Sequence, residues 1–191
     1  MKKLSITVLS SMLAVLLGVG SVVALNEYKK SDRQETTALS PAYKEKDKLM
    51  KKSDLIVTGF VPEQYTEVEV ELPDEKGLYE ISRVYEVKVA ESAKNNSNHA
   101  LKKDEMIELY VPVGLKQKKS GKFLPLVEEE KIKLEAGEYL LFLKSTHSDL
   151  YGKEIYQLTT PNHIYKKNGE KYENIGSSLV PVIEARELSI E

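Results

Sequence analysis

From residue 54 onward apolar side chains recur at every second position, and this period constrains the fold more than any other feature of the sequence. A strand sends successive side chains to opposite faces, so such a period marks strands rather than helices. Thr66 to Leu72 sets Val68, Val70 and Leu72 on one face and Glu67, Glu69 and Glu71 on the other, as a strand with one wet face requires. Tyr79, Ile81, Tyr85, Val87 and Val89 form a longer strand, interrupted on its apolar side only by Arg83. Ile107, Leu109, Val111 and Val113 make the next. Leu55 to Phe60 and Tyr139 to Leu143 are apolar on both faces, which predicts buried strands, the second of them central. Ile155 to Thr159 follows, and then Ile164 to Lys167 turns through Asn168-Gly169 into Lys171 to Glu173. An Asn-Gly pair between two such runs is a strong hairpin signal, because both residues tolerate positive φ.

The stretches 73–77, 95–98, 116–121 and 145–152 have turn or loop composition. Many short strands separated by turns, with little helix, predict a mainly β domain, a small barrel or sandwich. No internal repeat is visible.

The N-terminus supplies the address. Met1-Lys2-Lys3 precedes Leu4 to Leu25, which carries no charge and no polar face and so does not read as a core helix. A secretory signal has an apolar region of about 7–15 residues, and about 20 span a bilayer. The segment therefore reads either as a signal peptide cut after Ala24, where Val22-Val23-Ala24 offers small residues, or as an uncleaved anchor helix. In the second case Lys2 and Lys3 hold the N-terminus inside, opposed by Lys29 and Lys30. Both readings place the remainder outside the cytoplasm, secreted or anchored to the membrane through 4–25. Residues 1–25 are thus the signal or anchor, 26–52 a polar tether ending in a short helix around Leu49 and Met50, and 53–191 the β-barrel-like domain.

Composition narrows the function. Lys and Arg number 28 against 30 Asp and Glu, a net charge of −2, and a nucleic-acid partner is disfavoured because such domains are strongly basic. The absence of Cys removes disulfides, thiolate metal sites and Cys nucleophiles. A cysteine-free exported domain must be held by its core alone, which fits a Gram-positive envelope.

Ser53 to Val61, a long strand, and then Leu134 to Leu143 (Leu-Glu-Ala-Gly-Glu-Tyr-Leu-Leu-Phe-Leu) resemble exported bacterial OB-like proteins. Those in turn are similar to the netrin-like domain of metalloproteinase inhibitors, over about residues 48–175 here. The resemblance implies a five-stranded barrel and a binding habit. The inhibitors act through an N-terminal Cys that this chain lacks, so no functional residue carries over.

Catalytic and metal-binding patterns do not assemble. His99, His147 and His163 stand in no paired metal spacing, and no Gly-x-Ser-x-Gly elbow exists. Gly114 to Lys122 ends in Gly-Lys, but its glycines are wrongly spaced for a phosphate loop, and Phe123 stands where Mg²⁺ coordination needs Ser or Thr. Neither Glu67, Glu69 and Glu71 nor Glu128 to Glu130 forms a calcium loop, and the first three read as protection of an edge strand. No catalytic residue, cofactor or metal is therefore expected.

Two sets of residues suggest binding. Tyr79, Tyr85, Tyr110 and Tyr156 lie on predicted strands and offer an aromatic face of the kind OB barrels use. Lys116, Lys118, Lys119 and Lys122 make a basic tip suited to anionic lipid or wall polymer. The expectation is a non-enzymatic extracytoplasmic module contacting a protein or cell-wall polymer. The alternatives are a secreted hydrolase using the 145–152 loop, where His147, Ser148 and Asp149 are adjacent, and a surface structural protein without a defined ligand.

Overall fold

The computed structural model describes residues 42–96, 101–126 and 133–188. The N-terminal apolar segment, the tether up to residue 41, His99 and Glu128 to Glu130 lie outside them. No helix among the described residues is long and apolar enough to cross a membrane.

The protein is mainly β. A short helix, α1 (Lys46–Lys52), leads into β1 (Leu55–Val61), β2 (Thr66–Glu71), β3 (Leu78–Asn95), β4 (Met106–Gln117) and β5 (Phe123–Pro125). There follow β6 (Gly137–Ser148), β7 (Lys153–Leu158), β8 (Ile164–Asn168), β9 (Lys171–Asn174), β10 (Val182–Glu184) and a 3₁₀ turn (Ala185–Leu188). The ten strands form one sheet. β1 pairs antiparallel with both β3 and β6, β3 pairs antiparallel with β4, and β6 with β7. β4 meets β7 in parallel at Leu109–Tyr156 and Tyr110–Gln157, so the pairing returns to β1 through five strands. The other five attach outside this ring: β2 to β3, β5 to β4, and β8, β9 and β10 in succession beyond β6.

The alternation explains where the core sits. Leu55, Val57, Tyr85, Val87, Leu109, Val111, Tyr139, Leu141 and Leu143 turn to one side and form the main cluster. On β1 and β6 the intervening residues are apolar too, and Ile56, Leu140 and Phe142 build a second cluster with Leu49 of α1, Tyr165, Tyr172 and Ile183. Those strands are buried on both faces, as their unbroken apolar runs predict. Complete burial of each such side chain contributes about 1.5–3 kcal/mol.

α1 docks through Leu49, which is fully buried. Its last carbonyls are satisfied from outside the helix: Ser53 Oγ donates to Leu49 O at 2.9 Å, and Lys94 Nζ donates to Met50 O at 2.9 Å. A cation at a helix C-terminus also complements the helix dipole.

The strands bend at register shifts. β1 and β3 slip between Ile56 and Val57 and between Thr58 and Gly59, and β3 and β4 slip at Ile81/Ser82. Such bulges curve the long β3 enough to pair with three neighbours. A Cβ on Gly59 would stand 2.7 Å from Lys88 O, so the close approach there requires glycine.

Several expectations need correction. Of the stretch 145–152 only 149–152 is a turn: β6 runs to Ser148 and β7 begins at Lys153, because cross-strand pairs such as His147–Glu154 hold the hairpin although its side chains are polar. β3 continues past Val89 to Asn95, where Leu55 of β1 is its partner. The β8–β9 turn is centred on Gly169-Glu170 rather than Asn168-Gly169, with Asn168 paired to Lys171. Gly169 supplies the one positive φ, 63°, at the first central position, as a type II′ turn needs. The sheet holds ten strands, of which the short β2, β5, β8, β9 and β10 lie outside the ring.

Candidate binding surface

The four tyrosines do not share an exposed face, which corrects the expectation drawn from them. Tyr85 is fully buried in the main cluster, where its hydroxyl accepts from Leu134 N at 3.4 Å and burial raises its pKa. Tyr110, 4% exposed, points to the opposite side of the sheet, because its register partner is Val84 rather than Tyr85. Its hydroxyl donates to Glu108 Oε2 at 2.9 Å, and its ring lies 4.7 Å from that of Tyr151. Tyr156 and Tyr79 are half-buried against the main cluster. Strand propensity and packing account for three of the four.

Tyr79 is different because the structure brings it to the lysines. Cross-strand register places Glu71, Tyr79, Lys116 and Phe123 opposite one another on β2, β3, β4 and β5. Directly opposed residues share a face. Lys118 Nζ donates to the Tyr79 hydroxyl at 3.1 Å and stands 5.4 Å from the ring centroid, a cation–π arrangement. Lys116 is ion-paired to Glu69. These partners raise the pKa of both lysines, Lys116 through the Glu69 carboxylate and Lys118 through the Tyr79 hydroxyl. Both are therefore cations throughout the neutral range.

Lys119 and Lys122 occupy the turn that joins β4 to β5, and both are exposed. The turn is closed by its own hydrogen bonds, Gln117 N to Lys122 O and Gly121 N to Gln117 O, each at 2.8 Å. Gly121 takes φ 64°, which a residue with Cβ rarely adopts. Lys118 N also donates to Gly77 O at 2.8 Å and ties this turn to the β2–β3 turn.

The residue that sequence reasoning missed is Phe123. It is 47% exposed, yet its ring fills the space where a side chain on Gly114 would stand: an added Cβ would lie 2.2 Å from ring atom Cζ. The glycine thus seats the aromatic in one position. No local pattern announces it, because Gly114 and Phe123 lie on different strands, β4 and β5.

Two other features lie elsewhere. A groove of about 1000 Å³ runs between β1 and β3 on one side and the β8–β9 hairpin and β10 on the other, with Phe60, Glu91 and Tyr172 among its walls. Ion pairs Lys88–Asp104, at 2.8 Å, and Lys167–Glu138 join charges along it. On the exposed β6–β7 hairpin His147 Nε2 is 3.9 Å from Asp149 Oδ1, while Ser145 Oγ donates to Glu154 at 2.9 Å rather than to the imidazole. Among the described residues no cluster of His, Asp and Glu is arranged to hold a metal ion.

No family model matches the chain, and no curated protein or solved structure does.

Proposed function

We propose that this protein is an extracytoplasmic, non-enzymatic binding module on an OB-like barrel, which contacts a protein or cell-wall polymer through the β4–β5 tip. The OB-like reading is supported by the five-strand ring of pairings that returns to β1. Its location is supported by the uncharged segment 4–25, as a cleaved signal or a retained anchor. The observation that carries the choice of surface is the alignment of Lys116 and an exposed Phe123 seated on Gly114, next to Lys118, Lys119 and Lys122. An exposed aromatic fixed in place beside cations loses little entropy when it meets a ligand.

A photo-crosslinking residue at Lys119 in cells expressing the full chain tests the reading. The expected result is a crosslink to an envelope polymer or protein, with the chain recovered from membranes or medium. Full-length chain in the cytosol without a crosslink overturns it. So does turnover of a wall, peptide or ester substrate that is lost with His147→Ala.

A further inference from the structure

The chemistry of the tip narrows its partner. From Gly114 to Leu126 the chain carries four lysines and no acidic residue, although the protein as a whole is slightly acidic. The neighbouring β2–β3 hairpin supplies the opposing charges. Glu69 is taken up by Lys116, Glu71 accepts from Gly77 N at 2.7 Å, and Asp74, Glu75 and Lys76 follow in the turn. Lys119 and Lys122 are exposed in the β4–β5 turn, and a negative ligand avoids the acidic β2 side.

The aromatic side chain separates the classes of anion. A purely electrostatic surface needs lysines and nothing else, but here an exposed phenyl ring is positioned between them. A membrane wedge needs apolar side chains that protrude together. Phe123 packs back onto Gly114, and its neighbours Leu124 and Leu126 are half-buried, so the tip offers ring surface and no wedge. A ring surface of that kind suits the apolar face of a sugar. Strands lie about 4.8 Å apart, so the backbones at Phe123 and Tyr79, separated by that at Lys116, stand about 10 Å apart, a spacing on which one extended polymer can lie.

We infer that the tip binds a linear anionic glycan, with a sugar ring stacked on Phe123 and its acidic groups on Lys118, Lys119 and Lys122. This rests on the binding-module reading above and specifies its ligand. Lys118 has donors to spare, because an ammonium has three and Tyr79 takes one. Lys119 and Lys122 supply the remaining cations.

Binding of the full chain, held in neutral detergent, to four probes tests this: dextran sulfate, neutral dextran, polyphosphate and phosphatidylglycerol vesicles. Dextran sulfate is expected to bind best, and more weakly as salt is raised. Phe123→Ala is expected to weaken that binding about tenfold while leaving polyphosphate binding unchanged. Lys119→Glu with Lys122→Glu is expected to abolish both, with thermal unfolding of each variant as the control for folding. Equal affinity for polyphosphate and dextran sulfate, indifferent to Phe123→Ala, overturns the glycan while leaving an anion-binding module. Tighter binding to vesicles, dependent on Phe123, makes the ligand lipid and overturns it. Dextran binding that survives the lysine variants overturns the anionic requirement alone. Binding to none of the probes while the Lys119 crosslink still forms to a protein overturns the glycan and keeps the module; failure of both experiments removes the module as well.

Discussion

His163 Nε2 lies 2.8 Å from the carbonyl oxygen of Tyr43, a contact between the start of the described chain and the loop before β8. A carbonyl only accepts, so Nε2 carries the proton and Nδ1 is the bare nitrogen. Nδ1 is buried and has no hydrogen-bond partner. The rings of Tyr43 and Tyr165 lie near the imidazole, with centroids at 6.1 and 6.4 Å. Burial therefore holds the imidazole neutral and lowers its pKa below the ordinary 6.5, with the Tyr43 carbonyl opposing weakly.

This predicts acid sensitivity. Below pH 6.5 the unfolded chain takes up a proton at this residue that the folded chain resists, so stability present above 6.5 is lost as pH falls from there towards the folded pKa. His163→Gln keeps a donor for Tyr43 and removes the titration. Thermal unfolding between pH 7.5 and 5 is expected to show a decline in the parent that the variant lacks. Parallel curves would remove His163 as the cause.

Tyr151 predicts a different cost. Its hydroxyl donates to Glu80 Oε1 at 2.9 Å and lies 3.0 Å from Ser82 Oγ, beneath the β6–β7 turn. Glu80 is 7% exposed and Ser82 fully buried. Burial, reinforced by the Glu80 charge, raises the phenol pKa far above its usual range, so the donor persists at alkaline pH. Tyr151→Phe leaves the carboxylate short of a donor and is expected to cost about 1–3 kcal/mol in urea denaturation. Adding Glu80→Leu is expected to recover part of the loss, because removing both partners costs less than stranding one. A double variant less stable than Tyr151→Phe would refute the account.

How much of this was legible depended on how local the cause is. The period-two runs mark β2, β3 and β4, because alternation follows from pleating alone, and the unbroken apolar runs mark β1 and β6. The polar ends of β3 and β6 were missed, since backbone pairing holds them and sequence pattern does not report it. β5 and β10, each of three residues, are too short to show a period. At the tip the lysines were plain from composition. The seating of Phe123 on Gly114 was not, because that contact is made between two strands.

β10 tests whether the second cluster belongs to the same cooperative unit. Ile183 is fully buried in the cluster of Leu49, Leu140, Phe142 and Tyr172, and among the described residues β10 pairs with the sheet only through β9. Ile183→Ala is expected to lose about 2–5 kcal/mol, as a large-to-small change does where neighbours on a sheet and a helix cannot collapse inward. Loss of under about 0.5 kcal/mol by denaturant titration would mean that the strand frays independently of the rest of the sheet.

The Gly114–Phe123 contact yields the last prediction, and it separates the seat from the ring. A Cβ at 114 meets Phe123 Cζ at 2.2 Å and also Leu124 O at 2.8 Å. The ring is the end of a side chain and moves; the carbonyl is backbone and moves only with β5. Gly114→Ala is therefore expected to cost about 1–3 kcal/mol, the usual penalty of overpacking, and to displace the ring. In a Phe123→Ala background the ring clash is gone and only the Leu124 O contact remains, so the same substitution is expected to cost less. The coupling energy from this double-mutant cycle, read by urea denaturation, measures how firmly the aromatic is held. Strictly additive losses would show that Phe123 is not seated on Gly114, and the surface that presents it at the tip would lose its defining contact.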